Sequence, residues 1–188
     1  FGGLPKASAV PYQPGHFGNS RRAVVNNIVY IANLMALHQW YRHVRRLFVS
    51  KDFSDLVLTG LKEKLNWAIS ERIDRLEAFC HKINEDPTGS EKVVRSKNNP
   101  AAQQRQTLLA NWSQLRDFFE QFKTENGDKA RRDAFLKAVQ KNIRQNDWDY
   151  ISVIQQLAPL EKELATTWLQ GIVDLFVNGA LKIIPSFK

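Results

Sequence analysis

The stretch "NSRRAVVNNIVYIANLMALHQWYRHVRR", Asn19 to Arg46, decides the fold. It sets nineteen residues without formal charge, Ala23 to Tyr41, between two arginine clusters. A membrane span, a nucleic-acid-binding helix and the buried central helix of a bundle all share that outline. Length suits a span, since about 18 to 20 apolar residues cross a bilayer. Composition does not, because Asn26, Asn27, Asn33, His38 and Gln39 interrupt the run and lipid offers their polar groups no partner. Arginines at both ends also remove the charge asymmetry that orients a span. We therefore expect no transmembrane helix.

A helical wheel accounts for the run better. Arg22, Asn26, Tyr30 and Asn33 follow at three- and four-residue steps and form one narrow polar stripe. Val24, Ile28, Ile31 and Met35 flank it on one side, and Val25, Val29, Ala32 and Ala36 on the other. A helix apolar around most of its girth is contacted by more than one neighbour. This stretch is the expected centre of the protein.

Outward from that helix the pattern stays helical. Asn19 or Ser20 is a good N-cap, and the first helix is expected to run to about Ser50. A second starts near Asp52 or Ser54, with Leu58, Leu61, Leu65, Ile69, Ile73, Leu76, Cys80 and Ile83 along one face. Pro87 and Gly89 mark a long loop. Asn99-Pro100 opens a third helix, expected as one piece over 100–124, with Leu108, Leu109, Trp112, Leu115, Phe118, Phe119 and Phe122 inward. Asn126-Gly127 stops it and Asp128 caps a fourth that carries Phe135, Val139 and Ile143. A short helix over 148–157 follows. Pro159 starts the last, with Leu160, Leu164, Trp168, Ile172, Leu175 and Phe176 inside. No strand-like alternation occurs. The expected fold class is all-α, an antiparallel helical bundle of four long helices plus one or two short ones.

Ahead of the bundle, residues 1–18, "FGGLPKASAVPYQPGHFG", hold three prolines and four glycines and read as an extended N-terminal arm. Residues 19–188 read as a single helical domain. The chain begins at Phe1 rather than Met, which we take as an expectation that it is part of a longer protein. A single cysteine excludes an intramolecular disulfide and suits a reducing, cytoplasmic setting.

The net charge of +8 is unevenly placed. No acid precedes Asp52, whereas Lys6, Arg21, Arg22, Arg42, Arg45, Arg46 and Lys51 all lie in the first 51 residues. The rest is close to balanced. The candidate binding residues are therefore Arg21, Arg22, Arg42, Arg45 and Arg46, a basic face of the first helix. The plain alternative is internal pairing. A hairpin turning near residue 51 would bring Arg45 and Arg46 to Asp52 and Asp55, and Arg21 and Arg22 to Glu85 and Asp86.

Chemistry-bearing motifs are missing. There is no HExxH, no phosphate-cradling glycine loop, no GxSxG and no Glu-x-x-His pair. Cys80 and His81 are adjacent, so on a helix they point apart and form neither a dyad nor a chelate. Asp147 and Asp149 are explained by capping. No catalytic or metal residues and no cofactor are expected. The function expected from sequence is a protein-interaction or assembly module using the arm and the basic face. Its partner would be another protein or another domain of the same chain. A nucleic-acid-binding domain, or an accessory domain of a larger enzyme, are the alternatives.

Overall fold

The computed structural model describes residues 17–49, 54–85, 100–122, 127–145 and 149–188. Among them are seven α-helices and no strand: α1 (Phe17–His43), α2 (Asp55–Glu85), α3 (Pro100–Ala110), α4 (Trp112–Phe122), α5 (Lys129–Gln145), α6 (Tyr150–Gln156) and α7 (Pro159–Ile183). Single 3-10 turns follow α1 (Arg45–Phe48) and α7 (Pro185–Phe187). The class is all-α. The expected arm falls largely outside the described residues, and its last two positions, Phe17 and Gly18, belong to the first turn of α1.

The central place of α1 follows from its girth. Val24, Ile28, Ile31, Ala32, Met35 and Ala36 are buried, while Arg22, Asn26 and Asn33 of the polar stripe are exposed. Its two main neighbours are α2 and α7. Near its start, Arg21 donates to the main-chain oxygen of Lys188; near its end, the His43 ring meets Trp168 edge-on at 6.2 Å. Against α2, the Arg72 guanidinium lies 4.1 Å over the Tyr30 ring. Two of the amides that argued against a span bond inside the helix: Asn27 donates to the Ala23 carbonyl at 2.8 Å and Asn33 to that of Val29 at 2.9 Å.

Two departures from the sequence pattern are local. The first helix does not run on to Ser50. It tightens at Val44 into the 3-10 turn, with Leu47 N–H bonded to the Val44 carbonyl at 3.0 Å. That turn drops Phe48 into the core, edge-on to Tyr150 at 5.1 Å. The third helix, expected unbroken, divides at Asn111. There the side-chain amide donates back to the Thr107 carbonyl at 2.8 Å, sharing an acceptor that the Asn111 N–H also uses.

The remaining helices close the core over α1. Phe118, Phe119 and Phe122 of α4 gather around Phe176 of α7, with ring centroids 5.1 to 5.5 Å from it. Gly179 permits this approach, since a Cβ there would collide with the Phe118 ring. Phe135 of α5 lies between Trp40 and Trp168, at 5.7 and 6.4 Å. Capping follows expectation: Asp128 accepts from Arg131 N–H at 3.0 Å and Asp149 from Ser152 N–H at 2.8 Å. Gly127 takes a φ of 112°, which suits glycine.

Candidate functional site

The five arginines singled out from the sequence divide into two groups at opposite ends of α1, roughly 30 Å apart at 1.5 Å per residue. Arg21 and Arg22 are exposed at its start, and Arg21 is occupied by Lys188. Arg42, Arg45 and Arg46 stand at its finish. Lys62 and Arg132 act on the histidines beside this second group, which makes it the candidate site.

Its form is set by the helix end. Arg42 lies in the last turn of α1, where cations complement the exposed carbonyls. Arg45 and Arg46 lie in the 3-10 turn, which re-aims them. Arg45 is half-buried, its guanidinium 3.9 Å over the Tyr150 ring. Arg42 and Arg46 are exposed. Beneath them, Trp40 Nε1 donates to the Tyr150 hydroxyl at 3.1 Å, and the Trp40 ring packs on Phe135. Trp40 and Tyr150 are thus engaged with each other and with the core.

Two histidines report the local field. His38 is held below its ordinary value, first by burial and then by Arg42 and by Lys62 of α2. His43 is pushed down to about 4, again by burial first, then by Arg132, Arg42 and Arg46, with Asp133 opposing. Arg132 of α5 is buried and bonds its neighbour Asp133, at 3.0 Å from Nε and 2.9 Å from Nη2. Positive charge from α1, α2 and α5 therefore converges here. The sequence reading had not assigned Lys62, Arg132 or Tyr150 to the site. For Arg132 a signal existed: it precedes Phe135 by three residues and Val139 by seven, which puts it on the inward face of α5.

Internal pairing of the arginines was the plain alternative. Among the described residues the ion pairs join Arg75 to Glu71, Arg116 to Asp74 (3.0 Å) and Glu77, Arg131 to Asp128 (3.4 Å) and Arg132 to Asp133. Arg22, Arg42 and Arg46 pair with no carboxylate of those residues, and Asp55 is exposed. The expected partners Asp52 and Asp86, and the Glu85 side chain, lie outside the described residues.

Little else offers chemistry. Among the described residues no three His, Cys, Asp or Glu side chains gather as a metal site, and no helix is long and apolar enough to cross a membrane. Cys80 is buried, and burial followed by the Glu77 carboxylate pushes its thiol up to about 12, far from a reactive thiolate. Comparison of the chain with protein-family models, with characterised proteins and with solved structures finds no match.

Proposed function

We propose that this domain is a helical interaction or assembly module of cytoplasmic proteins, docking through the basic end of α1 onto an acidic surface of another protein or of another domain of its own chain. The framework for it is an antiparallel bundle of four long helices plus short ones, preceded by the Pro/Gly-rich arm. The antiparallel reading is supported by Arg21 reaching Lys188 while His43 meets Trp168. One observation carries the functional reading: Arg42 and Arg46 are exposed and lack a carboxylate among the described residues. Unneutralised, clustered charge of one sign steers and orients partners of the other sign. The engaged aromatics favour a protein partner over nucleic acid, because base stacking needs open rings beside the cations.

The test uses two polyanions, poly-L-glutamate and an oligouridylate, titrated against the wild-type chain and the Arg42→Gln/Arg46→Gln variant. Wild type should bind polyglutamate with an affinity that falls as salt rises. The variant should lose most of that binding while keeping its fold and its stability to within about 1 kcal/mol, as expected for exposed charges. Tighter, salt-steep binding of the oligouridylate, abolished by the same changes, would replace this proposal with nucleic-acid binding.

A further inference from the structure

Positive charge on α5 is not interleaved with acid. Its 17 residues hold Lys129, Arg131, Arg132, Lys137, Lys141 and Arg144 against the single carboxylate of Asp133. Arg131 and Arg132 are taken up by Asp128 and Asp133. The rest of the helix, from Ala134 to Gln145, carries no acid at all. There Lys137, Lys141 and Arg144 follow at four and three residues, so they share one face, opposite the buried Phe135, Val139 and Ile143. All three are exposed, and none pairs with a carboxylate of the described residues. Asp147, three residues past Arg144, lies outside the described residues.

Exposed charges on the other long helices mix their signs. On α2 they include Glu63, Lys64, Asp74 and Arg75, and on α7 Lys162, Glu163, Asp174 and Lys182. The α5 stripe instead sets three like charges within about 10.5 Å of helix axis, at 1.5 Å per residue, where they repel one another. The surroundings select the partner. A helix at a membrane surface needs large apolar side chains turned to the lipid, and a protein interface needs an apolar or aromatic anchor. The exposed neighbours of the stripe are Ala130, Ala134 and Gln140, and none of the exposed large hydrophobics belongs to α5. What remains is recognition by charge spacing. Each strand of a nucleic acid duplex places a phosphate about every 3.4 Å of axis, so the stripe spans about three such steps.

We propose that the outward face of α5 binds the phosphate backbone of a nucleic acid duplex through Lys137, Lys141 and Arg144. Contacts of this kind position a duplex and carry no sequence information. The surface is distinct from the docking role given above to Arg42 and Arg46, and neither rests on the other.

The test is fluorescence anisotropy of a labelled mixed-sequence DNA duplex over a salt series, repeated with the RNA duplex of the same sequence to tell the two sources apart. For wild type, log affinity should fall linearly with log salt. Lys137→Gln/Lys141→Gln/Arg144→Gln should flatten that slope by about 2 to 3, since each neutralised phosphate contributes about 0.9. Lys141→Gln alone should flatten it by about 1. Both variants change exposed side chains, and circular dichroism should show them folded. Lys64→Gln/Lys129→Gln/Lys182→Gln removes the same charge from exposed sites off the stripe and should flatten the slope by less than about 1. No binding at low salt, an unchanged slope in the stripe variant, or an equal change in the control variant would overturn the proposal. So would a slope that depends on Arg42 and Arg46 instead. If the stripe variant loses as much affinity for poly-L-glutamate as for the duplex, the partner is an acidic protein and the proposal fails. Anionic phospholipid vesicles bound as tightly as the duplex through the same three residues would overturn it in favour of a membrane surface.

Discussion

Gly179 shows how much a single residue decides here. The missing side chain lets the Phe118 ring press on the α7 backbone, and Phe118 is itself confined by Phe119, Phe122 and Phe176 at 5.5 to 6.1 Å. A methyl group therefore has no free rotamer of Phe118 to push aside. Gly179→Ala should destabilise the protein by about 1 to 3 kcal/mol, the usual cost of overpacking. Alanine is otherwise the better helix former, by about 1 kcal/mol, so a stabilised variant would mean the ring yields. Adding Phe118→Leu should recover part of the loss, and chemical denaturation of the double-mutant cycle measures that coupling. From sequence Gly179 was silent, because a glycine inside a helix carries no sign of what presses on it.

Individual helices were legible to the extent that their apolar periods are long. In α1 the wheel separated buried from exposed positions, and in α5 Phe135, Val139 and Ile143 are all buried as expected. The pattern failed at two positions of α7. Leu160 and Leu175, expected inside α7, are exposed, while Trp168, Ile172 and Phe176 are buried. Leu160 stands in the first turn, and Leu175 adjoins Phe176, whose inward aim carries the next residue around the helix. Breaks were also hidden, since nothing in the composition around Asn111 signals the division there. Burial ranks the helices' anchors accordingly. Trp168→Ala should cost about 3 to 5 kcal/mol, and Leu65→Ala, half-buried on α2, clearly less. Urea unfolding of both variants checks the order, and an equal loss would place Leu65 deeper than the structure does.

For the whole molecule, the site was only half legible. The arginines are countable in the sequence, but the convergence of Lys62 and Arg132 on α1 is a tertiary fact. Burial of His43, with Arg132, Arg42 and Arg46 around it, has a measurable consequence in a pH dependence. His43 titrates near 4 in the folded protein against about 6.5 in the unfolded chain. Between those values the unfolded state binds the extra proton, so stability should fall as pH drops from about 6.5 toward about 4 and level off below. Histidine NMR titration should find the His43 transition well below the ordinary range. Raising ionic strength should move it part of the way back, since salt screens Arg42 and Arg46 but leaves burial untouched. A His43 midpoint near 6.5 would dissolve the picture of converging charge.

The pairing of α1 with α7 also sets an order of events during synthesis. Of the described helices α1 is made first, and α7, one of its two main covers, is made last. More than a hundred residues separate His43 from Pro159. At the usual ribosomal pace that is a wait of roughly 6 to 25 s. Throughout it the flank of α1 that α7 will cover has emerged without its final lid. A nascent chain stalled before Pro159 should therefore be held by hydrophobic-binding chaperones and cut readily by protease, and both should end once Lys188 clears the tunnel and can accept the bond from Arg21.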